Sequence, residues 1–192
     1  MTQELALDKL SKKDLSLEEM AHILQLFQGD TMVEATLAMN LSQRTSVYNT
    51  PHEVDVLMSQ LLERLSHSND MSARWAVAKN FHTPIPVLED LSKDSINLVR
   101  ALVATNPKTP TKILKQLFSD EKIVRDGLSG NPSTPLKYLF ILADDTDTMV
   151  RLRVVENPSC SKTICEKLSN DDAHNVKTAA RIKLKRLTYA SV

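Results

Sequence analysis

The chain has 192 residues, of which 42% are apolar and 25% charged, and this is the mixture of an ordinary globular protein. Its 24 Lys and Arg balance its 24 Asp and Glu, so no global field attracts nucleic acid or anionic lipid. No apolar run approaches the roughly 20 residues of a membrane span, and the charged start MTQELALDKLSKKD is not that of a signal peptide, so we expect a cytoplasmic protein.

Residues 1–66 are predicted to form N-terminal capping helices and a divergent first repeat. A weak helical pattern over residues 3–12 is followed by a stronger one in LSLEEMAHILQLFQGD. Ser16 and Glu19 stand at the spacing of a capping box, in which each side chain accepts a hydrogen bond from the other residue's backbone amide. A helix is therefore expected to begin at Ser16.

The first repeat is predicted to contain an insertion. The segment TMVEATLAMN, which ends at Asn40, is a divergent copy of a helix that recurs later, with Glu34 where the later copies have Arg. Asn40 and Asn80 are 40 residues apart, so this repeat is about fifteen residues longer than the others. The loop LSQRTSVYNTP and a helix from His52 to about residue 66 are predicted to accommodate the difference.

Residues 67–192 are predicted to form a regular array, marked by a recurring Asn-x-x-Thr-Pro motif. The motif stands at Asn80–Pro84, Asn106–Pro110 and Asn131–Pro135, and in weakened form at 157–161, at intervals of 26, 25 and 26 residues. A proline after Asn ends the preceding helix, and the Asn amide is expected to satisfy backbone groups of its own and the adjoining repeat. Thr83, Thr109 and Thr134 are predicted to be N-caps, each with proline at the first helical position.

Apolar residues keep fixed distances from each Asn, as expected of helices that stack. Seven and three residues before it stand the pairs Ala73 and Val77, Val99 and Val103, Val124 and Leu128, and Val150 and Val154. Leucine dominates the positions eight and eleven residues after it. The last copy has Lys183 in place of Asn and never restarts, so it is predicted to be a C-terminal cap. We predict an all-α fold, an α-solenoid of about five to six repeats of about 25 residues.

The unit V-R-x-x-(V/L)-(A/S)-x-N-P-x-T-P-x-x-x-L-x-x-L-x-x-D resembles the leucine-rich repeat variant family of bacterial repeats, and more distantly HEAT repeats. The resemblance covers residues 72–180, with a degraded copy around 31–60. It implies a right-handed superhelix of paired helices, one of each pair short and sometimes of 3₁₀ type. Some members carry a cysteine cluster for an iron–sulfur centre ahead of the repeats. This chain has no cysteine before residue 160, so no cofactor is expected.

One cation per repeat stands six residues before the Asn position, at Arg74, Arg100, Arg125, Arg151 and Lys177. In the favoured interpretation each pairs with the Asp that precedes its own helix, namely Asp70, Asp94, Asp120, Asp145 and Asp171. In the alternative these cations form a basic stripe along a phosphate backbone, helped by Lys108, Lys112, Lys115, Lys137, Lys183, Lys185 and Arg186. Only eight aromatic residues are present, so a platform for stacking bases is thin.

Other candidate residues form no catalytic or metal-binding pattern. Trp75 is interpreted either as packing under the insertion or as an anchor for a partner. Cys160 and Cys165 are interpreted as ordinary reduced thiols. Solvated side chains are predicted for the histidines at 22, 52, 67, 82 and 174, and a turn with a helix-capping Asp for the acidic residues at 144, 145 and 147.

These observations favour a non-enzymatic interaction module with a protein or peptide bound on its concave face, without metal or cofactor. The first alternative is a HEAT-like nucleic-acid binder that uses the basic column. The second is an enzyme that resembles the HEAT-fold DNA glycosylases. Helical arrays serve many purposes, so the fold by itself does not choose among the three.

Overall fold

The computed structural model describes residues 1–12, 14–45 and 56–189, which form thirteen helices and no strand. The chain divides into two compact units, Met1–Lys108 (unit 1) and Thr109–Val192 (unit 2). The helices of unit 1 are α1 (Gln3–Leu10), α2 (Leu17–Leu26), α3 (Thr31–Arg44), α4 (Val56–Leu65), α5 (Met71–Lys79), α6 (Ile85–Leu91) and α7 (Asn97–Thr105). Those of unit 2 are α8 (Thr111–Leu117), α9 (Lys122–Gly130), α10 (Leu136–Leu142), α11 (Thr148–Glu156), α12 (Lys162–Leu168) and α13 (His174–Tyr189).

Each regular repeat pairs a first helix of nine residues with a second helix of seven. First helices pack on the first helices of neighbouring repeats, α3 on α5 and α5 on α7 in unit 1, and α9 on α11 and α11 on α13 in unit 2. The predicted apolar positions line these contacts and are buried throughout. No short helix can bury its apolar face alone, so each repeat is stabilised by its neighbours. The predicted all-α repeat fold is confirmed.

The N-terminal segment agrees with the sequence at its start and departs from it at Asn40. The Ser16 hydroxyl accepts from the Glu19 amide, and the Glu19 carboxylate accepts from the Ser16 amide, which confirms the capping box. Helix α3 continues past Asn40 to Arg44, whereas α5 has its C-cap at Asn80. The predicted helix start at His52 lies outside the described residues, and the described part of that helix is α4.

The second helices begin one residue later than predicted, and the proposed threonine caps are wrong. The N-cap residues are Pro84, Pro110 and Pro135, and none of them makes a side-chain capping bond. The Thr83 hydroxyl instead donates to the Val77 carbonyl at 2.6 Å, and the Thr134 hydroxyl donates to the Leu128 carbonyl at 2.8 Å. These carbonyls lie in the last turn of the first helix and also accept the amide of the C-cap Asn, so each buried threonine adds a second donor that closes the helix before it.

The C-terminal part of the array differs from the regular repeats at the start of α12 and in the length of α13. Ser161 stands where the other repeats have proline, and its hydroxyl accepts from the Ile164 amide as an N-cap of α12. Helix α13 has 16 residues and packs on both α11 and α12. Among the described residues, no helix combines the length and the apolar content that a bilayer crossing requires.

Leu139→Ala is expected to lower the free energy of unfolding by about 2 to 5 kcal/mol, because Leu139 is fully buried in α10. Since α10 packs on both α9 and α11, amide hydrogen exchange should accelerate in all three helices. Ile141→Ala is the matched control, because this side chain of the same helix is exposed. Faster exchange confined to α10 would contradict stabilisation by neighbouring repeats.

Candidate functional site

Three arginines of the predicted column form an inter-repeat arginine ladder, in which the guanidinium binds a carboxylate twenty residues further along the chain. The described rungs are Arg74–Asp94, Arg125–Asp145 and Arg151–Asp171, with Nε–Oδ2 distances of 2.6, 2.6 and 2.7 Å. In each rung Nη2 also donates to Oδ1, at 3.4, 3.2 and 3.0 Å respectively. Two parallel bonds fix both planar groups and tie one repeat to the next.

Guanidinium groups of the arginine column also bind the loop that leads into their own helix. Arg151 Nη1 donates to the Asp145 carbonyl at 2.8 Å, and Arg100 Nη1 donates to the Asp94 carbonyl at 2.7 Å. Asp145 thus offers its carbonyl to Arg151 and its carboxylate to Arg125 of the preceding repeat. For Arg74, Arg125 and Arg151 the predicted pairing with the carboxylate before their own helix is wrong by one repeat.

The orientation of the aspartate explains this shift of one repeat. Oδ1 of each ladder aspartate accepts the amide hydrogen of the residue two positions later, at 2.9 Å from Ile96, 2.9 Å from Asp147 and 2.8 Å from Ala173. This local turn is typical of Asp at the start of a helix. Because it holds one side of the carboxylate against its own loop, Oδ2 is left for the arginine of the preceding repeat.

The first rung has different chemistry, which the sequence interpretation missed. Ser68, six residues before Arg74, occupies the ladder position, and its hydroxyl donates to Glu34 Oε2 at 2.6 Å. Asp70, the predicted partner of Arg74, is instead the N-cap of α5. Glu34 in place of Arg was the available signal, because a carboxylate in the arginine position requires a donor in the aspartate position.

The side chains of the arginine ladder are largely buried, and their charges are paired. The arginine side chains of the three rungs are 17%, 24% and 15% exposed, and the paired carboxylates only 6–7%. The hydrogen bond from Arg151 lowers the pKa of Asp171. Burial by itself would raise the pKa of Asp145, but hydrogen bonds from Arg125 and the Asp147 amide lower it overall. These guanidinium groups are engaged inside the array, which favours the structural interpretation over a stripe of exposed cations.

A second, asparagine ladder confirms the expected role of the Asn amide. Asn157 Nδ2 donates to the carbonyls of Ser129 and Asn131 at 2.7 and 2.9 Å, while its Oδ1 accepts from the Ser159 amide. Asn106 makes the same bonds to the Ala78 and Asn80 carbonyls, at 3.0 Å each. Both side chains are buried, so each closes its own loop and satisfies the end of the preceding first helix.

The asparagine ladder has recognisable ends. Asn40 donates to the carbonyls of Leu10 and Lys12, so α1 takes the place of a preceding first helix. In the C-terminal cap Lys183 replaces Asn, and its ammonium donates to the Val155 and Asn157 carbonyls. A long cationic side chain therefore does at the end of the array what the amide does inside it.

The remaining predicted candidates lie apart from one another. Trp75 is half-buried, with the Lys79 ammonium 5.1 Å from its ring centroid. Its proposed contact with the insertion depends on residues 46–55, which are outside the described ranges. Lys177 is half-buried near Asp171, and its charge contributes to the lowered pKa of that carboxyl. Neither arrangement tests whether these side chains bind a partner, so that remains a prediction.

Histidine burial was predicted wrongly at one position. His82 is buried rather than solvated, because its Asn-Phe-His-Thr loop folds inward and the His82 amide donates to Asn80 Oδ1. The Ser59 hydroxyl donates to the His82 carbonyl, which ties this loop to α4. His52 lies outside the described residues, and the other three histidines are exposed as predicted.

The acidic loop and the cysteines behave as structural elements. Asp147 caps α11 as predicted, and Asp144 pairs with Lys167. Cys160 and Cys165 are buried with their sulfur atoms 3.4 Å apart, and burial, followed by the neighbouring thiol, raises the pKa of Cys160 to about 12. The Cys160 thiol therefore stays neutral at physiological pH. Over the described ranges, no group of three or more His, Cys, Asp or Glu side chains could hold a metal ion.

One exposed apolar surface was not anticipated. On α10, Leu136, Phe140 and Ile141 are 50%, 44% and 52% exposed, and with the exposed Lys137 they cover one arc of the helix. We call these four residues the α10 surface. The sequence LKYLFIL is apolar at most of its positions and resembles a core segment. Helical spacing could have separated the two faces, because the buried leucine positions already account for the inward one.

Comparison with solved structures found a protein similar to this chain. It is described as a leucine-rich repeat variant with a novel repetitive protein structural motif; the alignment covers 94% of this chain and 81% of that chain, with 22% identity and a TM-score of 0.37. The description agrees with the resemblance seen in the repeat motif, while the fold assignment itself rests on the helix packing described above. A scan of protein-family models found no match, and a search of curated proteins found none either.

Asn157→Ala is expected to destabilise the protein by about 1 to 3 kcal/mol for each backbone group left without a partner. The affected groups are the Ser129 and Asn131 carbonyls and the Ser159 amide. Thermal and urea denaturation would measure the loss. Asn170→Ala is the matched control, because Asn170 is exposed in a turn. Equal stability of the two variants would contradict a structural role for the asparagine ladder.

Arg151→Gln should lower the free energy of unfolding at neutral pH by about 1 to 3 kcal/mol, because it leaves Asp171 without its bidentate partner. Since the folded-state pKa of Asp171 is lowered, the pair's contribution is complete above the unfolded pKa of about 3.9 and disappears as pH falls through the folded value. The difference between variant and parent should therefore shrink in acid.

Urea denaturation at neutral pH and again below pH 3 would check this dependence. Arg153→Gln serves as the control, because its side chain is 51% exposed and its carboxylate partners are 3.7 Å away. A difference between parent and Arg151→Gln that stayed constant across this range would show that Asp171 does not supply the stabilisation.

Proposed function

We propose that this protein is a non-enzymatic, cytoplasmic interaction module of helical repeats that binds a protein or peptide partner through the α10 surface. The observation that carries the proposal is the exposure of Leu136, Phe140 and Ile141 on one arc of a seven-residue helix. A contiguous exposed apolar surface of this kind is typical of a binding site. An aromatic side chain among aliphatic ones is typical of the centre of an interface, and the lysine beside them is typical of its polar rim.

The placement of the charged column supports the same conclusion. The guanidinium groups of Arg74, Arg125 and Arg151 donate hydrogen bonds to carboxylates and carbonyls of the array. This argues for a partner-binding site elsewhere than in the arginine column. It also weakens the nucleic-acid alternative, because phosphate binding would have to break bidentate pairs that hold neighbouring repeats together.

The surroundings of Phe140 favour a protein partner. The Lys167 ammonium lies 4.5 Å from the Phe140 ring centroid and pairs with Asp144, so a charged pair borders the ring. An apolar centre bordered by charge is the arrangement of a protein interface. Base stacking needs an open ring face, and here a cation occupies one face.

Phe140→Asp is expected to abolish capture of the partner from the native host while leaving the free energy of unfolding within about 0.5 kcal/mol of the parent. The reason is that a carboxylate at the centre of an apolar interface is desolvated without a partner. Affinity capture with quantitative mass spectrometry would measure the loss, and denaturation would verify the fold. Leu98→Asp is the matched control, because Leu98 is a similarly exposed apolar residue on α7.

Two results would contradict the proposal. One is a partner retained equally by the parent, Phe140→Asp and Leu136→Asp. The other is a shift of duplex DNA that grows at low salt and is lost in a triple Arg100, Arg125 and Arg151→Gln variant, since this would return the arginine column to nucleic-acid binding.

A further inference from the structure

The neutral total charge conceals two oppositely charged units. Unit 1 has 14 Asp and Glu against 10 Lys and Arg, whereas unit 2 has 14 Lys and Arg against 10 Asp and Glu. Opposite charges of this size attract between molecules at moderate salt. The two units of different molecules are therefore electrostatically complementary.

The imbalance is concentrated on the second helices of the repeats. In unit 1, helices α2, α4 and α6 have five acidic residues and one basic residue: Glu18, Glu19, Glu63, Glu89 and Asp90 against Arg64. In unit 2, helices α8, α10 and α12 have the reverse: Lys112, Lys115, Lys137, Lys162 and Lys167 against Glu166. We call these the acidic surface and the basic surface.

Exposed apolar side chains lie on the helices of both surfaces. Leu26 on α2 and Ile85 on α6 are 52% and 49% exposed, and the α10 surface supplies Leu136, Phe140 and Ile141 on the basic side. Charge complementarity gives orientation and rate of association, while the apolar groups provide the burial that holds an interface together. Each surface has both components.

We infer that a partner of the basic surface is a second copy of this chain, which docks through its acidic surface. This inference rests on the proposed function, because the α10 surface lies at the centre of the basic surface. Leu136 and Phe140 pack against apolar groups such as Leu26 or Ile85 of the second copy, while lysines and carboxylates pair around them. Several charges already have neighbours, such as Lys162 with Glu166, so they act at the solvated border.

The contact joins two different surfaces, so each copy retains one surface of each sign for a further copy. Association of this heterologous kind depends on protein concentration and is weakened by salt. Sedimentation velocity of the full chain over a range of concentrations, at about 50 mM and about 500 mM salt, should show larger species that dissociate at high salt.

Charge reversal gives a sharper test. A variant with Lys115, Lys137 and Lys162→Glu should associate at least about tenfold more weakly, and so should a variant with Glu18, Glu63 and Asp90→Lys. When the two variants are mixed, association should return, because the reversed basic surface of one now fits the reversed acidic surface of the other. Recovery on mixing cannot arise from misfolding of either variant.

Lys93, Lys185 and Arg186→Glu is the control variant. It changes the net charge by the same amount as the Lys115, Lys137 and Lys162→Glu variant, but at exposed positions outside the second helices. It should associate like the parent. Association that is equally weakened in the control, or that does not return on mixing, would overturn the inference, and so would a parent chain that stays monomeric at every concentration. The proposed function fails separately, by retention of a captured protein in Phe140→Asp.

Discussion

The structure depends on how the carbonyl groups at the end of each first helix find donors. Proline after Asn106, Asn131 and Asn157 stops the helix without a glycine cap, so the carbonyls of the last turn need donors from elsewhere. The amide of the Asn in the following repeat supplies two donors, as Asn157 does for Ser129 and Asn131. Each repeat is therefore completed by the next one, and this requirement gives the array a direction and a need for special ends.

The arginine ladder adds a second requirement of the same kind. A guanidinium has enough donors to bind its own loop and the carboxylate of the next repeat at the same time. An ammonium group lacks the planar fork of donors that this arrangement requires. Asp145 receives one arginine on its carboxylate and another on its carbonyl, so two successive rungs share a residue. The side chains at the positions that recur most regularly along the sequence are thus engaged in contacts that hold the repeats together. Binding is more reasonably sought where repeats differ, as in the apolar exterior of α10.

The sign of the surface charge differs between the two units and does not alternate from one repeat to the next. Second helices with the same buried leucine positions have acidic exteriors in unit 1 and basic exteriors in unit 2, although the total charge is zero. Because exterior positions are not constrained by stacking, their charge can vary without loss of stability. The inferred association of copies uses this freedom. It also explains how a chain without a global field can have strong local electrostatic preferences.

The sequence alone determined the all-helical repeat fold, the period, the buried positions and the role of the Asn amide, since all of these follow from local spacing and from the chemistry of Asn, Pro and Leu. It did not determine which partner each polar side chain would meet. Thr83 was expected to cap the helix after it and instead closes the helix before it, and Asp94 was expected to serve Arg100 but binds Arg74 with its carboxylate. Ser68 and the exterior of α10 were missed altogether. Only stacking decides these choices, because residues twenty positions apart become neighbours through packing that local periodicity does not encode.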